Sequence, residues 1–105
     1  MINKILALLG FAAKAGKLSY GMDATVDTVS RGRSRLTVLS DEVSLKSQKE
    51  IRFHSEKNNI QVLVLENCNI ERLSSAVGRK CGIVSVNDSS FADGILNAMN
   101  KGGNI

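Results

Sequence analysis

Three short apolar runs, separated by amphipathic segments, constrain the fold of this chain more than any other feature. The runs cover residues 36–39, 60–65 and 83–86. Apolar runs of this length are typical of strands that are buried on both faces of a sheet. Strands that alternate with helices form a central sheet with helices packed against it. The pattern therefore predicts an α/β domain whose sheet is covered on both faces.

Helical periodicity fills the segments between these runs. It predicts helices over residues 3–13, 22–31, 45–57, 70–77 and from 90 onward, and a short strand over residues 17–20. Ser44 and Asn69 are predicted N-caps, because their side-chain oxygens can accept hydrogen bonds from the first helical turn. Gly78 is placed to end the fourth helix. Ser90 and Asp93 have the spacing of a capping box that begins the last helix.

Length and composition limit the classes of protein to consider. A chain of 105 residues that is 43% hydrophobic and 23% charged is expected to form one soluble domain over residues 1–105. No apolar run reaches the roughly 18 residues that a membrane helix needs. Lys14 and Lys17 follow the apolar start of the chain at once, which fits an amphipathic helix better than a signal peptide. We therefore expect a cytoplasmic protein with no membrane partner.

The cysteines give little support for metal or redox chemistry. Cys68 and Cys81 lie thirteen positions apart, without a CxxC pair or a nearby histidine. Such a pair in a cytosolic chain is usually two reduced thiols. One histidine and two distant cysteines do not make a metal site, and the glycines fit no nucleotide-binding motif. We expect no metal, no cofactor and no small-molecule substrate.

The basic residues near Gly21 are the strongest functional signal. Gly21 begins the second predicted helix, and a helix N-terminus offers unpaired N–H groups and partial positive charge to an anion. Lys14 and Lys17 precede this helix, and Arg79 and Lys80 precede the last strand. If the two loops lie at the same end of the sheet, they form a basic rim around Gly21. We interpret the rim as a surface for RNA, and scattered solvated lysines are the alternative.

Three arginines follow the second helix at its other end. Arg31, Arg33 and Arg35 alternate with Gly32 and Ser34. Cations at a helix C-terminus complement the negative end of its dipole. We therefore expect these arginines to lie outside the rim.

Candidate catalytic residues are few, and each has a structural interpretation. His54 lies in the middle of a predicted helix with no carboxylate or nucleophile placed beside it. Asp41 and Glu42 follow a buried strand, where we expect them to stabilise the N-terminus of the next helix. Cys81 adjoins two basic residues that could lower its pKa, but a small packing residue at a strand edge is the expected role. The sequence gives no positive evidence for an enzyme.

The order of several motifs is that of a known family. The motifs are AGKL at 15–18, a glycine at 21, RG at 31–32, LTVLSDEVS at 36–44, LSSAVGRKCGIVSVND at 73–88 and FA at 91–92. In this order the chain resembles the L7Ae/L30e group of ribosomal and kink-turn-binding proteins, specifically its small bacterial YlxQ-like branch. The resemblance extends over about residues 3–99. It implies a three-layer α/β/α sandwich with a mixed, four-stranded central sheet.

The resemblance also implies an RNA-facing surface. In the family, a glycine lets the backbone of the second helix approach RNA, and polar side chains over its first two turns read sheared G·A pairs. A lysine there contacts phosphate, and the loop before the last strand packs on an unstacked base. We expect phosphate contacts from the basic residues, backbone approach at the glycine, and base-edge or sugar contacts from the two polar residues. The predicted RNA-binding residues are Lys14, Lys17, Gly21, Asp23, Thr25, Arg79 and Lys80.

Three positions of the second helix depart from the family pattern. Asp23 stands where the family has asparagine or lysine, Ala24 where it has glutamate or glutamine, and Asp27 where it has lysine. An aspartate can accept a hydrogen bond from a guanine, so Asp23 is compatible with reading that base. A second carboxylate on a phosphate-facing surface is unfavourable. These departures predict weaker or different RNA specificity.

Three classes of function follow from these observations. The leading hypothesis is a small, monomeric, non-enzymatic protein that binds structured, kink-turn-like RNA, associated with ribosomes or another structured RNA. The alternative is a protein-interaction module on the same fold, with Asp23 and Asp27 facing a basic partner. The third is an enzyme that uses Cys81 or the Asp41–Glu42 pair.

Overall fold

The computed structural model of the protein describes residues 2–103. Its nine elements follow one another as α1 (Ile2–Lys14), β1 (Leu18–Tyr20), α2 (Met22–Ser30), β2 (Leu36–Ser40), α3 (Leu45–Lys57), β3 (Val62–Leu65), α4 (Ile70–Val77), β4 (Ile83–Val86) and α5 (Ser89–Gly103). Every predicted helix and strand is therefore present, with most bounds within two residues of the prediction. None of the helices in this described range has the length and apolar character needed to cross a membrane.

The four strands form one mixed sheet in the order β1-β4-β2-β3. Strand β4 pairs antiparallel with both β1 and β2, whereas β2 and β3 are parallel. A parallel pair needs a crossover connection, which α3 provides between β2 and β3. The mixed, four-stranded sheet confirms the fold class.

Helices cover both faces of this sheet. Alternate side chains of a strand point to opposite faces. Accordingly, Val38 packs in a core with Leu9 of α1, whereas Leu39 packs in a second core with Ile51 of α3. The first core also receives side chains from α4 and α5, and the second receives side chains from α2. The molecule is thus a three-layer α/β/α sandwich.

Two of the predicted N-caps and the predicted C-terminal glycine of the fourth helix are correct. Ser44 accepts a hydrogen bond from the Ser47 N–H at 3.2 Å, and Asn69 accepts one from the Arg72 N–H at 2.8 Å. Gly78 follows α4 with φ of 75°, the left-handed conformation that favours glycine.

The predicted start of α5 is wrong. Asp88 caps this helix, and its carboxylate accepts a hydrogen bond from the Phe91 N–H at 3.0 Å. The helix consequently begins at Ser89, before the expected Ser90–Asp93 box. Asp88 stands three residues before Phe91, so it makes the bond that a cap requires as soon as β4 has ended. The boundary depends on where the strand stops, which local pattern does not determine.

Strand β3 is shorter and more exposed than predicted. It begins at Val62 instead of residue 60, and only Leu63 and Leu65 are buried in it. The reason is its position at the edge of the sheet, next to β2 alone. An edge strand is incompletely covered by the helix layers.

Close packing of α1 against α4 leads to a stability prediction. A Cβ built on Gly10 would lie 2.9 Å from the backbone oxygen of Ala76. We expect Gly10→Leu to lower the free energy of unfolding by about 1–3 kcal/mol, because the added side chain forces the two helices apart. Ala7→Leu is the matched control, since Ala7 is exposed on the same helix. Urea denaturation measures both variants, and equal stability would contradict the close crossing.

Candidate nucleic-acid interface

The start of α2 adjoins the loop that joins α4 to β4. The Gly21 N–H donates to the Ile83 carbonyl oxygen at 2.8 Å, where β4 begins. The guanidinium carbon of Arg79 lies 4.7 Å from the centre of the Tyr20 ring, within the range of a cation–π interaction. Residues Gly21, Asp23, Arg79 and Lys80 therefore belong to one area, which we call the Gly21 surface. This part of the predicted rim has the expected geometry.

The backbone of Gly21 leaves this surface open. Gly21 has φ of 87° and ψ of 172°, a conformation essentially restricted to glycine. The first helical bond runs from the Thr25 N–H to the Gly21 carbonyl at 3.1 Å, so the amides of residues 22–24 precede it. Apart from Tyr20 and Met22, its chain neighbours, no other described residue would have an atom within 4 Å of a Cβ built on Gly21. An anion can therefore approach these N–H groups closely.

Ser74 holds the loop that carries Arg79 and Lys80. Its hydroxyl accepts from the Cys81 N–H at 3.0 Å and donates to the Cys81 carbonyl at 3.1 Å. The N–H groups of Gly78 and Arg79 both donate to the Ser74 carbonyl, at 2.8 and 3.2 Å. Four hydrogen bonds thus converge on one residue and fix the path of the loop. Sequence reasoning missed this role, because it depends on the loop returning to the last turn of α4.

The two lysines before α2 lie in different places. Lys14 lines a groove between α1 and α4 that also includes Ser75 and Gly78, so it lies near the start of the α4–β4 loop. Lys17 lies at the opposite end of β1 from Gly21, where its carbonyl accepts from the Asn87 N–H at 2.8 Å. The prediction of one rim containing both lysines is therefore wrong for Lys17. A strand of three residues separates Lys17 from Gly21, and the two ends of a strand lie at opposite ends of the sheet.

The side chains of α2 divide into exposed and buried groups. Asp23 and Ala24 are exposed in the first turn, whereas Thr25 has no exposed surface. The Thr25 hydroxyl is buried without a hydrogen-bond partner in the described part of the chain. The side chain of Thr25 consequently supports the helix from inside and does not reach a surface ligand. Helical position alone did not reveal this, because threonine is common on both faces of a helix.

Asp27 has a local partner. Its carboxylate lies 3.0 Å from the Arg31 Nε, one helical turn away, and both side chains are exposed. Acid–base pairs at this spacing are favourable on a helix surface. Arg31 therefore offsets the charge that Asp27 would otherwise present to an anionic ligand. The spacing was visible in the sequence, but the arginine was assigned to the helix dipole alone.

Asp41 and Glu42 stabilise a different helix from the one expected. Glu42 Oε1 accepts from the Ile70 N–H at 2.7 Å, at the first residue of α4. Asp41 Oδ2 accepts from the Cys68 N–H at 3.2 Å, in the loop that leads to α4. The prediction that these acids act on α3 is wrong, because the β2–α3 turn lies beside the parallel neighbour β3 and its following loop. Both carboxylates have structural partners.

Burial outweighs the neighbouring Arg79 in its effect on the pKa of Cys81. Cys81 is buried, and burial raises the pKa of its thiol above the ordinary value, although Arg79 acts in the opposite direction. Burial likewise raises the pKa of Cys68, against the effect of Arg72. A raised pKa means less thiolate at neutral pH, and the thiolate is the reactive species. The geometry does not favour the enzyme hypothesis that rests on Cys81.

The bonds of Ser74 predict a local effect on the loop. We expect Ser74→Ala to lower the free energy of unfolding by about 1–3 kcal/mol, because it leaves the Cys81 N–H without its partner. Hydrogen exchange at the Cys81 amide should accelerate. Ser75→Ala is the matched control, since Ser75 is the exposed neighbour on the same helix. Equal exchange at Cys81 in both variants would show that Ser74 does not hold the loop.

The raised thiol pKa predicts slow alkylation of Cys81. In the native protein at pH 7, iodoacetamide should modify Cys81 more slowly than in the same protein unfolded in urea. The alkylation rate in the native protein should still rise at pH values where the rate of an exposed thiol has already levelled off, because the Cys81 thiolate forms only at higher pH. Mass spectrometry of the peptides distinguishes Cys81 from Cys68. Rapid, selective modification of Cys81 near neutral pH would contradict a raised pKa of its thiol.

Comparisons with known proteins agree with this geometry. The sequence model of the ribosomal protein L7Ae/L30e/S12e/Gadd45 family matches residues 3–94. The large ribosomal subunit protein eL30 of Candida glabrata is 30% identical, over 93% of this chain and 90% of that protein. The Saccharomyces cerevisiae eL30 is 28% identical, over 88% of this chain and 86% of its own length.

Two solved structures have the same fold. A protein of unknown function from Bacillus halodurans superposes with a TM-score of 0.86 at 28% identity, covering 92% of this chain and 97% of that one. The Giardia lamblia 15.5kD RNA binding protein superposes with a TM-score of 0.80 at 12% identity, covering 95% and 85% of the two chains. The family match and the similarity to the Candida glabrata protein identify the chain as a member of the ribosomal protein L7Ae/L30e/S12e/Gadd45 family.

Proposed function

We propose that this protein binds structured RNA of the kink-turn kind through the Gly21 surface, as a non-enzymatic protein. The observation that carries the proposal is the convergence of an open helix N-terminus with two cations on a fixed loop. The proposed setting is the cytoplasm, where the protein acts as a monomer on ribosomal RNA or another structured RNA. We also propose that it belongs to the small bacterial YlxQ-like branch of the family.

The names of related proteins support an RNA ligand. The curated relatives are eL30 proteins of the large ribosomal subunit, and one protein of the same fold is named as RNA-binding. RNA recognition commonly targets distorted elements whose bases and backbone are accessible, such as the sheared pairs of a kink-turn. A surface that combines backbone amides with two cations is suited to such an element.

Each part of the Gly21 surface has a role in the proposal. The amides at the start of α2 and the cations Arg79 and Lys80 contact phosphate oxygens, with Lys14 at the edge of the surface. The Asp23 carboxylate accepts from the amino and imino groups of a guanine. The Arg31 partner reduces the repulsion that Asp27 would exert on the backbone. Lys17 and Thr25, which lie elsewhere, take no part at this surface.

Salt dependence tests whether RNA is held through phosphates. The probes are a kink-turn RNA, a plain duplex and a single strand of equal length, measured by fluorescence anisotropy. Three phosphate contacts predict a log Kd–log salt slope of magnitude about 2–3. The kink-turn RNA should bind most tightly. A slope near zero with all three probes would overturn the proposal and favour a protein-interaction module.

Matched variants test where the RNA binds. Lys80→Glu should weaken binding and reduce the slope by about 1 or more, because a phosphate contact is lost. Lys57→Glu makes the same charge change at the exposed end of α3 and should have a smaller effect. Gly21→Ala and Gly21→Glu both place a Cβ at φ of 87° and share the same backbone strain. The difference in RNA affinity between these two variants therefore reports the effect of side-chain bulk and charge. Equal affinities for these two variants would place the RNA elsewhere.

A further inference from the structure

A polar hollow lies at the end of β1 opposite the Gly21 surface. The α1–β1 turn, the segment after α2 and the end of β4 surround it, with a volume of about 390 Å³. Six of the side chains that line it define what we call the Lys17 hollow: Lys17, Ser19, Thr28, Arg33, Arg35 and Asn87. Neither the family resemblance nor the basic rim predicted this grouping, since Lys17 was expected beside Gly21 and the arginines at a helix end.

A chain of hydrogen bonds fixes the floor of the hollow. The Asn87 side-chain amide donates to the Ser19 hydroxyl at 3.0 Å, and the Ser19 and Thr28 hydroxyls lie 2.7 Å apart. The Thr28 hydroxyl donates to the Ala24 carbonyl at 2.7 Å, so Ser19 is the donor toward Thr28. On the other side, the Ser85 hydroxyl donates to Asn87 Oδ1 at 2.6 Å. The orientation of the Asn87 amide is thereby set, and its second proton has no hydrogen-bond partner among the described residues.

The charges around this floor have one sign. Among the described residues that line the hollow, Lys17, Arg33 and Arg35 are cationic and none is acidic. Arg35 Nη1 donates to the carbonyls of Gly32 and Ser34, both at 3.1 Å, which holds its guanidinium in place. The nearby acid Asp27 is paired with Arg31. Three cations around one hollow repel one another, and an anion bound between them relieves that repulsion.

We propose that the Lys17 hollow binds a phosphate of an RNA backbone and is a second RNA contact, distinct from the Gly21 surface. The amide of Asn87 and the cations supply donors suited to a phosphodiester oxygen. Lys17 and Gly21 lie four positions apart along the chain, at the two ends of β1, which is about 13 Å at the rise of a strand. One RNA that extends beyond its distorted element can therefore reach both sites. In naming RNA as the ligand, the proposal rests on the proposed function.

The test compares a compact and an extended RNA. The probes are a minimal kink-turn RNA and the same element with a stem longer by ten base pairs. The double variant Lys17→Ser/Arg33→Ser removes two exposed cations, and Lys4→Ser with Lys57→Ser removes two exposed cations elsewhere as the control. The hollow variant should reduce the salt slope for the extended RNA by about 1, because the phosphate contact at the hollow is lost. The control should leave the slope unchanged, and thermal melting should show that both variants fold.

The outcomes separate this proposal from the proposed function. If the extended RNA binds the hollow variant as it binds the native protein, while Lys80→Glu weakens binding, the hollow is not an RNA site and the Gly21 surface stands. If the hollow variant weakens binding and Lys80→Glu does not, the hollow stands and the Gly21 surface fails. If the native protein binds neither RNA, both proposals fail.

Nuclear magnetic resonance distinguishes RNA from a free anion. The extended RNA should shift the Ser19 and Asn87 amide resonances in the native protein and not in the hollow variant. Inorganic phosphate alone is titrated as the second arm. Shifts with inorganic phosphate but not with RNA would show that the hollow takes a small anion and would overturn the proposal.

Discussion

The antiparallel pairing of β1 with β4 determines where the Gly21 surface and the Lys17 hollow lie. Strand β1 has only three residues, paired from Leu18 with Val86 to Tyr20 with Val84. Backbone bonds extend this ladder at both ends, from Gly21 to Ile83 and from Asn87 to Lys17. The bond from Gly21 to Ile83 brings the start of α2 beside the α4–β4 loop. The bond from Asn87 to Lys17 forms one side of the Lys17 hollow. A shift in this register would displace both sites.

Helix α2 connects the two ends of the sheet. Its N-terminus belongs to the Gly21 surface, and Thr28 in its last turns belongs to the floor of the Lys17 hollow. Asp27 and Arg31 form an ion pair on its exposed side. Asp27, which stands where the family pattern has a lysine, is therefore neutralised locally by Arg31 in this chain. We interpret this helix as a scaffold that presents backbone amides at one end and supports cations at the other.

Local pattern was sufficient to predict the elements, because each depends on short-range physics. The apolar runs marked the strands, Ser44 and Asn69 marked helix starts, and Gly78 marked a helix end. Proximity of Gly21 to Arg79 was also expected, and the resemblance supplied the layer arrangement and the mixed sheet. The helices, strands and caps require only the periodicity of side chains and the conformational preferences of capping residues and glycine.

Features that depend on register or on a long-range partner were not predictable. The position of Lys17 follows from which end of β1 pairs with Asn87, and the partner of Glu42 lies on a helix 28 positions away. The roles of Ser74 and Asn87 arise from side-chain bonds across loops, with no signal in the spacing of residues. The burial of Thr25 likewise reflects which side of α2 faces the sheet. The proximity of Gly21 to Arg79 was thus predictable from the sequence, whereas the contacts that support this area were not.

Crosslinking in living cells tests the central claim most directly. Irradiation of cells with ultraviolet light, purification of the protein and mass spectrometry of its peptides would map where RNA is attached. The account predicts RNA bound to the segments around Tyr20–Asp23 and Arg79–Lys80. A protein that is purified without crosslinked RNA, or with RNA attached only on α3 and α5, would contradict it.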